Sequence, residues 1–295
     1  MKAATVAMVT SGIGMLVDTD LRLIVEALRS EGLTAEPVPW DAEPAVWEKF
    51  DLAVIRSTWD YAERIDEFLA WADSTARSTQ LCNPAEVIRW NSDKRYLLDL
   101  AAHGVPVVPT RFIEPGEQCG EGDFRSGGAV VVKPAVSAGA ADTARYEPGQ
   151  YADALRHARS LLDRGRVVMV QPYLPLVAEG ERALVFFSGT FSHAVRKGPV
   201  LTEPGVIDND RVPHPDLVPY QPTDEELGTA TAALAAVPSP DTPLFARVDL
   251  ALDDTRSPVV MELELIEPNL FLQEHPQGLE RFAGAVATEL RRASS

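Results

Sequence analysis

Apolar positions follow two rhythms along the chain. Short apolar runs bounded by turn residues read as buried strands, and apolar residues recurring every three or four positions read as amphipathic helices. Thr5–Val9 predicts a strand and Thr10-Ser11-Gly12 a polar turn. The stretch from Asp20 to about Ser30 then carries Leu21, Leu23, Ile24, Ala27 and Leu28 on one face and stops at Gly32. Strands at about Ala35–Val38 and Leu52–Ile55 follow. This strand–helix–strand order predicts a parallel sheet with right-handed crossovers. A helix over Ile65–Ser74 precedes Asn83-Pro84, a lobe boundary. Ser92 is placed to cap a helix running to about His103, with Lys94 in its first turn, where the helix dipole favours an anion.

The same reading continues downstream. Ala129–Val132 is a β-branched strand ending in Lys133-Pro134, and a loop of small residues, Ser137 to Ala141, leads to a second strand piece ending at Tyr146. Gln150 to Arg164 is helical and Gly165 ends it; Val167–Val170 is a strand entering the rigid connector Gln171-Pro172-Tyr173-Leu174-Pro175. Glu181–Phe187 and Phe191–Lys197 predict a hairpin through Ser188-Gly189-Thr190, and Asp224 is placed to cap an alanine-rich helix to about Val237. Residues 114–128 read as an exposed loop and residues 198–223 as a long loop over a site. Phe245–Leu250 alternates, with Arg247 and Asp249 on one face; Val259–Ile266 carries Glu262 and Glu264 on one face and ends at Glu267-Pro268-Asn269.

Composition narrows the class. A chain of 295 residues, 45% hydrophobic and 24% charged, is globular and long enough for two or three lobes. No apolar run is long enough to span a bilayer, the N-terminus lacks signal-peptide form, and Cys82 and Cys119 are too few for a disulfide framework or a zinc site. A cytoplasmic protein with reduced thiols is the simplest expectation. A net charge of −17 with no basic run argues against a nucleic-acid partner. The histidines are scattered without ligand spacing. A small-molecule partner remains, and a homo-oligomer is left open.

Only five lysines occur, among them Lys94, Lys133 and Lys197, beside motif-like sequence. An ammonium fits phosphate sites where a planar guanidinium does not. Lys133 before a small-residue loop suits a phosphate lid, because small side chains let backbone N–H groups approach an anion; the same spacing fits an ordinary hairpin. The lid is not a Walker A loop, since no GxxxxGK[ST] is present. Arg56-Ser57-Thr58-Trp59-Asp60-Tyr61 follows a strand end, where α/β sheets bind ligands. Arg56 there can fork a substrate carboxylate, and the stretch also fits a capping turn. The 171–175 connector can seat an adenine or simply link lobes. Asp249, Glu267 and Asn269 are oxygen donors at strand ends and suit magnesium, whereas Glu262 and Glu264 also fit a solvated acidic face.

The order of these features resembles the ATP-grasp superfamily of carboxylate–amine ligases. Lys94 opens a helix, Lys133 precedes a lid, a hinge runs from Gln171 to Leu174, and an Arg-x-Asp strand and a Glu-x-Asn end the chain. The RSTWDY and ELELIEP stretches are most similar to the cyclo-ligases that close D-cycloserine from O-ureido-D-serine. The resemblance implies an α/β protein: a small parallel-sheet domain (1–88), an ATP-grasp small lobe with the lid (89–173) and a large lobe with the metal site (174–295). It implies ATP and Mg2+, with Lys94 and Lys133 on the phosphates, Ser137, Ala138 and Gly139 in the lid, Gln171 and Leu174 around adenine, and Glu179 on the ribose. Arg196 or Lys197 would face the phosphates or substrate. Arg247 would stabilise the transition state, and Asp249, Glu267 and Asn269 would hold metal. An amino-acid-like substrate would meet Arg56, Ser57, Thr58, Trp59 and Asp60. Gln171 stands where many relatives have glutamate, the lid has one glycine, and Leu270-Phe271-Leu272 replaces a small polar run, which implies a small or unusual acceptor. An intermolecular amino-acid ligase, an ATP-grasp kinase and a nucleotide-binding module without turnover are the alternatives.

Overall fold

In the computed structural model, which describes residues 3–125, 127–210 and 216–293, the chain builds three sheets. In the first, β1 (Thr5–Thr10) lies between β2 (Thr34–Pro39) and β3 (Leu52–Ser57), and β4 (Gln80–Cys82) adds outside β3. All three pairings are parallel, as the strand–helix–strand order predicts. Around it lie α1 (Gly14–Val17), α2 (Thr19–Ser30) and α3 (Ile65–Thr75). Asp18 caps α2 by accepting from Asp20 N.

The expected helix from Ser92 to His103 is two helices, α4 (Ala85–Asn91) and α5 (Tyr96–Ala102). Ser92 closes the first rather than opening the second, donating to Arg89 O at 3.0 Å. Asp93 accepts from Arg95 N at 2.9 Å and turns the chain. Lys94 therefore sits in the corner between helices, not in a helix's first turn.

The second sheet joins β5 (Arg111–Ile113), β6 (Val130–Pro134), β7 (Ala144–Tyr146) and β8 (Val168–Pro172) in the order β5-β8-β6-β7, every pair antiparallel. One face packs on α6 (Tyr151–Asp163) through Ile113, Val130, Val132, Ala158 and Leu161. Phe124 joins this core fully buried, so the 114–128 segment is not wholly an exposed loop. The third sheet runs β11-β10-β9-β12-β13, with β9 (Glu181–Phe187), β10 (Thr190–Lys197), β11 (Val218–Tyr220), β12 (Phe245–Leu252) and β13 (Pro258–Glu264). Thr223, not Asp224, caps α7 (Asp224–Ala235): its hydroxyl accepts from Glu226 N, and Glu226 accepts from Thr223 N. Residues 211–215 of the long 198–223 segment lie outside the described residues.

The core does not follow the chain order. Phe245, Ile266, Leu270–Leu272 and, from α8 (Pro276–Ala293), Phe282 and Val286 share one cluster with the first sheet. Tyr96, Leu97 and Leu100 of α5 pack with β9, β12 and β13 instead. The first sheet is thus completed by the end of the chain, and the second and third sheets face each other across a cleft. No described helix is long and apolar enough to cross a membrane.

Candidate active site

A cavity of about 490 Å³ opens between the second and third sheets, with Trp59 and Tyr61 of the first reaching its edge. Its acidic floor follows from strand register. Arg247 pairs with Glu264 and Asp249 with Glu262 across β12 and β13, and the period of two puts all four on one face. On the neighbouring hairpin a bulge between Phe191 and His193 shifts the register by one, bringing Lys197 opposite Glu181. Counting back from the Ser188-Gly189 turn would pair Glu181 with Arg196. The bulge therefore decides that Lys197 faces the cavity, while Arg196 is exposed on the other side.

Arg247 is 2% exposed and grips Asp249 with two bonds, Nε to Oδ1 and Nη2 to Oδ2, both 2.9 Å. It also donates to Glu264 and, at 3.0 Å, to Asn269 O. Lys197 Nζ lies 2.6 Å from Asp249 and 3.1 Å from Glu181. Burial alone would raise the Asp249 carboxyl, but Arg247 and Lys197 override it and hold it well below the usual carboxylate range. Burial also opposes charging Lys197, yet Asp249 and Glu181 push it up to about 12. Glu264 is different. Burial dominates over Arg247, and its carboxyl is pushed up to about 7. Burial likewise lifts Glu267 well above the ordinary value. One oxygen from each of Asp249, Glu262 and Glu264 lies within 4.8 Å of the others. Three hard oxygens converging, one of them costly to ionise unaided, form a donor set that fits a divalent cation.

The lysines frame the opposite wall. Lys94 Nζ donates to Ser137 O at 2.7 Å and lies 3.1 Å from Glu262, tying the small-residue loop to the floor. Lys133 points into the same space and has no hydrogen bond or ion pair among the described residues; burial lowers its pKa. Gly139, Ala140 and Asp142 adopt positive φ (61°, 59° and 51°), so Ala140 takes a left-handed conformation where a glycine costs less. Asp142 N donates to Asn209 Oδ1 at 2.8 Å, and Asn209 with Val200 and Leu201 brings the 198–223 segment to the cavity mouth.

Of the residues singled out from sequence, Lys94, Lys133, Ser137, Ala138, Gly139, Gln171, Leu174, Lys197, Arg247, Asp249, Glu267, Asn269 and Trp59 line this cavity. Others do not. Glu179 is exposed and holds Arg256 at 2.9 Å through both oxygens; Glu181, two residues on, takes its place in the wall. Arg56 is buried between Asp18 and Asp20 at 3.0 and 3.2 Å, donates to Pro268 O and does not line the cavity. Ser57 bonds Thr10 at 2.8 Å, Thr58 is buried away from the cavity, and Asp60 accepts from Trp40 Nε1 at 2.9 Å. The converging acids are Asp249, Glu262 and Glu264, not Asp249 with Glu267, and Asn269 Oδ1 accepts from Phe271 N at 2.9 Å. Leu270, Phe271 and Leu272 belong to the core and do not wall the cavity. The two exposed exclusions give a direct check: Glu179→Ala and Arg196→Ala should each leave steady-state ADP release within about twofold of the parent's, because neither side chain lines the cavity and an exposed ion pair such as Glu179–Arg256 contributes little.

Comparison with known proteins decides the family. The chain is 39% identical over 297 residues to the cycloserine biosynthesis protein DcsG of Streptomyces lavendulae, spanning 97% of this chain and 98% of that one. The chain belongs to the D-cycloserine synthetase family. A family model described as the N-terminal domain of D-cycloserine synthetase DcsG matches residues 6–83. The crystal structure of D-cycloserine synthetase DcsG superimposes with a TM-score of 0.88 at 37% identity, over 97% of this chain and all of that one. A D-alanine–D-alanine ligase from Bacillus anthracis, complexed with ATP, shares the fold at 13% identity, with a TM-score of 0.71 over 99% of each chain. Membership of the D-cycloserine synthetase family makes this chain an ATP-dependent ligase of the ATP-grasp fold.

Proposed function

We propose that this cavity takes magnesium-ATP and O-ureido-D-serine and closes the latter to D-cycloserine, with release of ADP and phosphate. The observation that carries the reading is the facing of a partly buried lysine without an ion pair among the described residues, Lys133, and a three-carboxylate cluster across one cavity, in a chain related over 97% of its length to a cycloserine biosynthesis protein. Lys133 has no ion-pair partner among the described residues, which a phosphate would supply. The three acids, although Arg247, Lys197 and Lys94 already pair with them, converge their oxygens as a metal donor set does. Asp249, Glu262 and Glu264 would hold the metal, with Glu267 and Asn269 facing the same space. Lys94, Lys133, Lys197 and the loop from Ser137 to Ala141 would hold the phosphates, and Gln171 and Leu174 the purine.

Bound magnesium-ATP supplies an electrophilic γ-phosphoryl group with its charge partly neutralised. The chain's part is positioning and electrostatics. Arg247, kept protonated by Asp249 and Glu264, stands ready to stabilise negative charge as the substrate carboxylate becomes an acyl phosphate and then a tetrahedral adduct. Trp59 and Tyr61 close the edge and keep water from the activated carboxyl. The attacking nitrogen belongs to the same molecule, so ring closure avoids the entropy of bringing in a second reactant and expels phosphate; the carbamoyl group left on the ring nitrogen is then removed by hydrolysis, as carbon dioxide and ammonia. The acyl-phosphate route is tested with substrate labelled by 18O in its carboxylate. One labelled oxygen should appear in the released phosphate, and unlabelled phosphate would rule the route out.

A further inference from the structure

Gln171 lies on β8 opposite Val131 of β6 and is 5% exposed, its remaining surface opening on the cavity. Its Nε2 donates to Thr110 Oγ1 at 2.8 Å. Thr110 does not line the cavity, and its hydroxyl donates to Val108 O at 2.8 Å. A carbonyl oxygen can only accept, so the single hydroxyl hydrogen of Thr110 is committed there. Toward Gln171 the hydroxyl then presents only lone pairs. The amide must turn its NH2 to Thr110 and its oxygen the other way, since the reverse orientation sets two acceptors against each other. Val108 is itself fixed, because its N–H donates to Val260 O at 3.0 Å on β13. Among the described residues no donor reaches Gln171 Oε1, and that oxygen is not sealed from the cavity. The purine end of the cavity therefore offers one acceptor whose direction is set from behind.

We infer that the Val108–Thr110–Gln171 relay makes the cavity select a 6-aminopurine nucleotide over a 6-oxopurine one. Gln171 Oε1 accepts from an exocyclic 6-amino group, whereas the 6-oxo group of ITP or GTP would face it acceptor to acceptor, a mismatch that a buried polar site rejects strongly. Thr110 is a positioning residue: it touches no ligand and acts by fixing the amide. The inference rests on reading this cavity as the nucleotide site, and it accounts for a glutamine here, because a pinned amide oxygen does the accepting without adding another charge to an acidic cavity.

The test measures kcat and KM with ATP and with ITP for the parent, Thr110→Val and Thr110→Ser, together with calorimetric binding of each nucleotide without the amino-acid substrate. The parent should prefer ATP by about 10- to 100-fold. In Thr110→Val, which keeps the shape but removes the lone pairs, the amide is free to turn. The preference should collapse toward unity, through a higher KM for ATP and a lower KM for ITP, with kcat on ATP little changed. Thr110→Ser should restore the parent ratio. A Thr110→Val protein that keeps the parent ratio, or a Ser variant that behaves like Val, overturns the relay while ATP binding still stands. A parent that binds neither nucleotide overturns the nucleotide site and the relay together.

Discussion

Lys133→Met should cut ADP release by at least about 10²-fold and yet melt no lower than the parent. The two halves of this result have one cause. Lys133 is partly buried with no ion pair or hydrogen bond among the described residues, and desolvation pulls its pKa down. A charge held this way costs stability, so an apolar side chain of similar length is neutral or favourable for the fold. Its retention makes sense only if an anion arrives. ATP should therefore raise the melting temperature of the parent well above its effect on the variant. Near-normal turnover in Lys133→Met would remove this residue from the site, and a collapsed fold would mean that its ammonium has a structural partner.

Arg56→Ala is the reverse case, a large loss of stability. Asp18 and Asp20 would remain buried beside an empty space, and the tie to Pro268 O, which steadies the segment carrying Glu267 and Asn269, would go. Removing one member of a buried charge network costs about 3–5 kcal/mol, which corresponds here to a fall in melting temperature of roughly 10 °C. The deficit should depend on pH. Burial already outweighs Arg56 and raises the Asp20 carboxyl above its ordinary value, and loss of the guanidinium raises it further. A carboxyl raised in the folded state stabilises below its unfolded pKa and loses that contribution as pH rises through the folded value. Melts of Arg56→Ala should therefore fall further below the parent at pH 8 than at pH 5. An unchanged melt with a raised KM for the amino-acid substrate alone would instead return Arg56 to the substrate site.

The contrast between Arg56 and Lys133 shows what the sequence could carry. Strands and helices were legible because burial imposes periods of two and 3.6 residues, and Lys133, Arg247 and Asp249 were legible because each sits at a fixed offset in a strand. Arg56 looked equally available at its strand end. Its partner Pro268 lies 212 residues away, and no local pattern announces that the chain's end folds back to enclose it. Glu181 was missed for a local reason, since the bulge near Ser192 alters the pairing that its turn implies. Glu262 and Glu264 were visible as an alternating acidic pair. What distinguishes them from a solvated face is the sheet above, which encloses them with Lys94 and Lys133. Ser92 failed as a cap because α4 had already begun at Ala85, using Pro84 and not a polar cap.

The most direct measurement is ADP release with magnesium-ATP and O-ureido-D-serine, set against buffer and a panel of amino acids, with the product read by mass. Release with the ureido substrate alone, together with the mass of D-cycloserine, is the expected result. Release that requires two amino acids and yields a linear joined product would contradict the cyclisation, as would a stable phosphorylated substrate with no ring.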